Sequence, residues 1–201
     1  MKSVLISTRP KLVEKICHKI GEDETGKAIY EKRIEVRKSA PKEVPFKAYI
    51  YETQGRTETP WIDEDGHFIY KGRGQVIGAF ICDRIEMVNA KCSDYGIDLF
   101  YHDCLTNGCL TEREIEKYFN VPEDRDLRAM KGNGYVWNIS DLKIYDKPKE
   151  LSEFSRPCSY SGLCFSCKRT SFKKDGNLLC NTKITRPPQS WCYVEDLGEE
   201  E

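Results

Sequence analysis

An α+β fold is predicted for this chain by two observations. Segments with the two-residue alternation of β-strands outnumber those with helical periodicity. They also lack the regular strand–helix alternation that a doubly wound parallel sheet requires. The 201 residues suit one domain with an elaboration, and are enough to bury a sizeable core.

Residues 4–7 read as a buried strand, Val-Leu-Ile-Ser. Pro10 suits the first turn of a helix over 10–20, in which Leu12, Val13, Ile16, Cys17 and Ile20 share one face. The stretch from Gly21 to Gly26 stops it. Strands are expected over 33–38 and 46–52; in the second, Phe46, Ala48 and Ile50 alternate with Lys47, Tyr49 and Tyr51. Pro41 and Pro45 bracket the connection between them. Residues 53–75, with Gly55, Pro60, Gly66, Gly72 and Gly74, form a turn-rich excursion with a short strand at 67–70. The most apolar strand runs over 76–88, expected to be central or bulged at Gly78. Thr111-Glu112-Arg113-Glu114 is a capping box opening a helix to Phe119, because the threonine oxygen and the Glu114 carboxylate can each satisfy an orphan amide. Residues 135–146 are a further strand region. Two or three short helices therefore accompany a majority of strands, with no internal repeat.

Charged residues make up 32% and hydrophobic ones 39%, the balance of a soluble protein with a modest core. No apolar run approaches the roughly 20 residues of a membrane span. Val4-Leu5-Ile6 is too short for a signal-peptide core and is followed by Arg9 and Lys11, so a cytoplasmic location is expected and no membrane partner. The net charge of −1 conceals a sign pattern. Residues 1–50 carry a surplus of five positive charges, 51–150 a surplus of six negative, 151–192 five positive, and the last nine residues five negative. Two basic segments flanking an acidic middle are compatible with a nucleic-acid-facing surface. Ordinary surface variation gives the same counts.

The segment Lys32-Arg33-Ile34-Glu35-Val36-Arg37 holds the densest chemistry. Regular alternation puts Arg33, Glu35 and Arg37 on one face of a strand and Lys32, Ile34 and Val36 on the other. A bend near Arg33 brings Lys32 round to Glu35 and Arg37. The three then form a cationic pocket with a single carboxylate, suited to an anionic or hydrogen-bonding guest. The plainer alternative is a solvated strand face, the usual fate of charged residues on half-buried strands.

Val4-Leu5-Ile6-Ser7-Thr8-Arg9-Pro10, then a helix, then Lys-x-x-Glu-x-Arg at Lys32, Glu35 and Arg37 is an order that resembles the ASCH domain of the PUA-like superfamily, whose signature is Gly-x-Lys-x-x-Glu-x-Arg. The chain departs at the leading glycine, where it has Tyr30, and the segment from Gly21 to Gly26 lengthens the preceding loop. Gly74 to Phe80 and Tyr135 to Leu142 are similar to later ASCH segments, and Arg186 to Tyr193 resembles the end of phage-associated and bacterial members. The resemblance spans most of 1–150 and a short C-terminal stretch. It implies a PUA-like mixed β-barrel over 1–150, a strand over 184–194 returning to the barrel, and an acidic tail at 195–201.

The resemblance also implies an RNA-binding role. Arg9, Lys32, Arg37 and Lys38 would meet phosphates or base edges, with Glu35 holding Arg37 or accepting from a base amino group. Tyr51, Tyr135, Trp137 or Trp191 would offer a stacking face, although buried aromatics normally fill cores. Two other classes stay open. Some small ASCH proteins are amidohydrolases acting on acetylated cytidine, a modified nucleoside, and others are linked to RNA cleavage; the amidohydrolases use a lysine, a threonine and a glutamate. Lys32 matches the lysine but Glu35 stands at the threonine position, so an enzyme here would rest on Lys32 and Glu35. A protein-interaction adaptor is the third class.

Ten cysteines are many for a chain read as cytoplasmic. Cys17, Cys82, Cys92, Cys104 and Cys109 are scattered, as buried or incidental thiols are. Cys158, Cys164, Cys167, Cys180 and Cys192 crowd the end. Cys164-Phe165-Ser166-Cys167 has the spacing that lets two thiolates of one turn share a tetrahedral ion. Loop-forming residues surround them and few apolar ones lie between, so a 155–183 module would gain stability from a metal. A closed structural zinc site of Cys158, Cys164, Cys167 and Cys180 is expected, with Cys192 a spare ligand; reduced thiols, a redox pair or disulfides are the alternatives. His18, His67 and His102 lie in no recognisable nucleophile motif. Purified protein is expected to carry stoichiometric zinc, released when Cys164 and Cys167 are both replaced by serine; metal analysis finding none in the wild-type chain would refute the site.

Overall fold

The computed structural model describes residues 1–54, 61–62, 68–69, 71–121, 129–158, 170–172, 178–180 and 182–198, the four shortest of these segments by their backbone. In chain order the elements are β1 (Lys2–Thr8), α1 (Pro10–Cys17), β2 (Lys19–Glu22), β3 (Ala28–Tyr30), β4 (Ile34–Arg37), β5 (Phe46–Glu52), β6 (Trp61–Ile62), β7 (Phe68–Ile69), β8 (Val76–Cys82) and β9 (Ile85–Asn89). They continue with α2 (Asp94–Thr106), α3 (Glu112–Phe119), β10 (Asn133–Asn138), β11 (Ser140–Lys149), a 3-10 turn at Leu151–Glu153, β12 (Thr170–Phe172), β13 (Leu178–Cys180) and β14 (Trp191–Val194).

The α+β class holds. A five-stranded sheet runs β11-β8-β5-β1-β14, with β1 and β5 parallel and the other pairs antiparallel. An antiparallel three-stranded sheet runs β4-β10-β9. The chain passes between them four times, two of these at tight corners, from β8 into β9 and from β10 into β11. These corners are latched together: Asn138 N donates to Arg84 O (3.0 Å) and Asn138 Nδ2 to Asp83 Oδ1 (2.9 Å). The expected closed barrel is corrected to two open sheets. No ladder among the described residues joins β4 to β14 or β9 to β11, so the strands meet at corners and not in a continuous ring.

Alternation builds the core. Val4 and Ile6 of β1, Phe46, Ala48 and Ile50 of β5, and Ile77 and Phe80 of β8 face inward on Trp137 and on Val13 and Ile16 of α1. The opposite face carries Leu5, Tyr49, Tyr51, Val76 and Ala79, covered by Phe154, Ile184 and Val194. The five-stranded sheet is thus buried on both sides, as its near-continuous apolar strands require. A further core joins α2 and α3 to the outer face of β4 and β10 through Ile34, Val36, Ile97, Phe100, Ile115, Phe119 and Val136. β14 pairs antiparallel with β1, from Ser3↔Val194 to Ile6↔Trp191, and the Trp191 ring meets that of Trp137 at 5.9 Å.

Several boundaries differ from the sequence reading. The first helix ends at Cys17, not at residue 20, because Lys19 onward turns into the β2–β3 hairpin. There Asp23 Oδ1 accepts from the amides of Thr25 (2.8 Å) and Lys27 (3.0 Å), an Asx-type arrangement that competes with helix. The 76–88 strand breaks at Asp83 and Arg84, where the chain changes sheets. α2 has no counterpart in the reading. Its Ile97, Phe100 and Cys104 form a buried stripe, but Tyr95 and Leu99 are exposed, so apolar residues on the other faces mask the helical period. The α3 capping box forms as expected, with Glu114 N to Thr111 Oγ1 at 3.2 Å and Thr111 N to Glu114 Oε2 at 3.0 Å. No helix of the described residues is long and apolar enough to cross a membrane.

Gly134 lets the helical layer settle on the small sheet: a Cβ there would lie 2.6 Å from Phe100 Cζ and 3.2 Å from Phe119. Gly134→Ala is expected to destabilise the fold by about 1–3 kcal/mol, as overpacking does. Urea unfolding checks this, and an unchanged midpoint would count against that packing.

Candidate functional site

Lys32 and Arg33 lie before β4 and their backbones turn. Lys32 N donates to Lys15 O (3.1 Å) and Arg33 N to Asn107 O (2.8 Å). The turn breaks strand alternation and swings Lys32 to the side of Glu35 and Arg37, while Arg33 points outward. The result is a buried chain of charges: Lys32 is 1% exposed, Glu35 3% and Arg37 7%. Lys32 Nζ donates to Ile34 O (2.6 Å) and Gly108 O (3.0 Å) and lies 3.4 Å from Glu35 Oε2. Glu35 Oε1 is 2.8 Å from Arg37 Nη2, which also donates to Ser7 O (2.9 Å). Arg37 Nη1 reaches Ser190 O at 3.4 Å.

Burial alone would raise the Glu35 pKa, but Lys32 and then Arg37 outweigh it and hold the carboxyl below its usual range. Glu35 is therefore ionised at neutral pH and poorly suited to act as a general base. Two backbone carbonyls accept from the Lys32 ammonium and the Glu35 carboxylate lies at ion-pair distance, so the side chain is braced in place.

By register, Trp137 stands opposite Glu35 and Tyr135 opposite Arg37 on the inward face of the small sheet. Trp137 is fully buried, its ring edge-on to Phe46 at 5.1 Å. Tyr135 is half-buried, and its hydroxyl accepts from Asn133 Nδ2 at 3.2 Å. Tyr51 sits apart, buried in the core on the far side of the large sheet. Arg9 is exposed, with Nη2 3.2 Å from Glu114 Oε1 of α3. Lys38, also exposed, stands 5.0 Å above the ring of Tyr118.

Tyr118 is the residue that sequence reasoning missed. Burial raises its phenol pKa, opposed by the Arg37 guanidinium, by a hydrogen bond from the Lys38 amide and by Arg9. The signal was available: in the capped helix Ile115 and Phe119 form the buried stripe, and a tyrosine one residue off that stripe places a polar-tipped ring at the edge of the core.

The interior face carries polar atoms with no hydrogen-bond partner among the described residues. Glu35 Oε2, Arg37 Nε and Trp137 Nε1 lie on the small sheet, and Thr8 Oγ1 and Glu52 Oε2 are on paired positions at the ends of β1 and β5. Each such atom costs about 1–3 kcal/mol unpaired. An acceptor and a donor on one strand face, two residues apart, suit a guest with complementary amide-like edges. The open concavities lie elsewhere, on the helical side of the small sheet. One of about 220 Å³ is bounded by Arg33, Arg84, Asn107 and Asn138, and one of about 390 Å³ lies between β9 and α2. Lys32, Glu35 and Arg37 line neither.

Of the expected zinc ligands, Cys164 and Cys167 lie outside the described residues. Cys158 is exposed, and the backbone of Cys180 pairs with Thr170 in the β12–β13 hairpin. Among the described residues no three metal-ligating side chains converge.

No protein-family model matches the sequence, and no curated protein does. Solved structures do. The crystal structure of ASCH from Zymomonas mobilis aligns with a TM-score of 0.51 at 16% identity, covering 96% of this chain and 88% of that one. A Tyr→Phe mutant of the same protein aligns with a TM-score of 0.51 at 15% identity, covering 97% and 91%. The chain has the fold of these ASCH structures.

Because the folded pKa of Glu35 lies below its unfolded value of about 4.3, its contribution to stability is present above that pH and is lost as pH falls through the folded pKa. Glu35→Gln leaves two buried cations without their anion. It is expected to cost about 3–5 kcal/mol at pH 7 and to flatten the acid limb of the stability curve. Denaturant titrations at several pH values check this; equal stability of wild type and variant at pH 7 would show that the carboxylate is not needed to compensate the cations.

Proposed function

We propose that this chain is a nucleic-acid-binding module and that single-stranded RNA docks at the rim formed by Arg9, Lys38 and Tyr118, above the Glu35–Arg37 pair. The observation that carries the reading is the surroundings of Tyr118. Lys38 lies over its ring, and Arg37 and Arg9 are near enough to act on its phenol. An aromatic face among three cations, opposed by the carboxylates of Glu35 and Glu114, can stack a base while the cations meet phosphates. The ASCH fold supports the reading, and the sequence resemblance favours RNA over other anions. Arg37 Nε, which has no hydrogen-bond partner, and Glu35 Oε2, held only at ion-pair distance from Lys32, supply the donor and acceptor that a base edge would require, if that edge reaches inward from the rim.

The geometry favours binding over catalysis by Lys32 and Glu35. Lys32 spends its donors on Ile34 O, Gly108 O and Glu35, and Glu35 is held ionised between two cations. Both are positioned as braces for the site.

Fluorescence anisotropy with a labelled single-stranded oligoribonucleotide tests the proposal. Affinity is expected to fall as salt rises, because phosphate contacts release counterions. Tyr118→Ala should cost about 1–3 kcal/mol of binding through lost stacking. An Arg9→Ala/Lys38→Ala variant, both changes on exposed side chains, should weaken binding and shallow the salt slope. Unchanged affinity and slope in that variant would overturn the rim as the binding surface.

A further inference from the structure

The small sheet has an open edge at β9. Among the described residues β9 pairs with β10 alone, in the register Ile85↔Trp137 to Asn89↔Asn133. Arg84 O accepts from Asn138 N at the next position of the same register, which makes 84, 86 and 88 the residues bonded to β10. The opposite edge of β10 agrees, since Ile34 of β4 turns its amide away to Asn107 O (3.2 Å). The peptide groups of Ile85 and Met87 therefore face away from the sheet. Asn89 is already engaged, its carbonyl accepting from Cys92 N at 2.9 Å. Two residues two apart thus present a donor and an acceptor each.

Beside that edge lies the hollow of about 390 Å³ between β9 and α2, walled by Val88, Leu99 and Phe100. Leu99 of α2 is 49% exposed, large apolar surface facing solvent at the hollow, whereas Met87 stands across from Tyr135 on the other face of the sheet. Its charged lining residues, Glu86 and Asp103, are both acidic. α2 carries Asp94, Asp98 and Asp103 and no lysine or arginine. Arg84, 3.3 Å from Glu86, and Arg33 flank the neighbouring smaller hollow and bound the acidic stretch at one end.

We propose that this groove docks an extended segment of a partner protein that adds a strand to β9, with apolar side chains on Leu99 and Phe100 and a lysine or arginine opposite Glu86. Strand addition uses the free peptide groups for affinity and alternate side chains for selection. The acidic lining complements a basic segment and repels a polyanion. A second copy of this chain fits less well. An antiparallel β9 pair using all four free peptide bonds centres on Glu86 and sets two carboxylates face to face, whereas one centred on Met87 uses Met87 alone.

A terminally capped nonapeptide, Thr-Val-Thr-Lys-Thr-Val-Thr-Lys-Thr, which carries its valines and lysines on one face, is the probe, with a glutamate-for-lysine counterpart and a version N-methylated on the edge that faces β9. Anisotropy reads binding to the full chain, and amide hydrogen exchange reads Ile85 and Met87. The lysine peptide should bind and slow exchange at those two amides, and both control peptides should bind at least about tenfold more weakly. Glu86→Lys should shrink the preference for the lysine peptide, and Leu99→Glu should weaken the N-methylated and unmethylated versions toward the same low value. Absence of binding at millimolar peptide, equal binding of the N-methylated peptide, or unslowed exchange at Ile85 and Met87 would overturn strand addition. Protection of the same amides by self-association or by single-stranded RNA would assign the edge to those partners and overturn it equally.

Discussion

The chain of charges Lys32–Glu35–Arg37 fixes how the layers of this molecule meet. Moving three ionised groups out of water is expensive, and their mutual attraction repays the cost only when the remaining donors and acceptors are used. Here they are used on backbone from distant parts of the chain. Lys32 holds Gly108 of the loop between α2 and α3, and Arg37 holds Ser7 of β1 and Ser190 just before β14. β4 is thereby tied to the helical layer at one end and to the large sheet at the other. Sliding β4 by one residue would strand a charge in the core, so its position is determined electrostatically as well as by its apolar side chains Ile34 and Val36.

That arrangement explains which parts of the molecule were legible from residues alone. The alternation of β5, the capping box at Thr111 and the apolar run of β8 are local patterns with local causes, and each appears where it was read. The gathering of Lys32 with Glu35 and Arg37 was legible only as a conditional, since it depends on a backbone turn held by Asn107, some 70 residues away. Its burial was not legible. Charges on a strand ordinarily mean solvent, and nothing near Lys32 announces that Gly108 and Ser190 will supply partners. α2 escaped because exposed Tyr95 and Leu99 mask the buried stripe of Ile97, Phe100 and Cys104, and the two-sheet arrangement escaped because the break at Asp83-Arg84 looks no different from a bend within one strand. Tyr118 was available to pattern reasoning but lay outside the motif that drew attention.

The two faces of the small sheet differ in kind. Its inward face holds the ion chain, Trp137 and Tyr135, with the cationic rim of Arg9 and Lys38 nearby. Its outward face is covered by helices that leave an apolar, acidic hollow beside β9. The surplus of positive charge in the first fifty residues and of negative charge in the middle thus has a spatial counterpart around this one sheet. Opposite fields on opposite faces would let one sheet discriminate between ligands of opposite charge.

The pairing of β14 with β1 has a consequence for how the chain reaches this state. About 180 residues separate the two strands, although they are hydrogen-bonded neighbours. On a ribosome adding roughly 5–20 residues per second, the outer edge of β1 waits on the order of ten to forty seconds for its partner to be made. During that interval a nascent chain presents Val4, Leu5 and Ile6 on an unpaired edge, the arrangement that templates aggregation. Early pairing of β1 with β5 shortens the exposure on one side only. Completion of the large sheet at β1 therefore waits on β14, and conditions that slow translation lengthen the interval in which that edge is open.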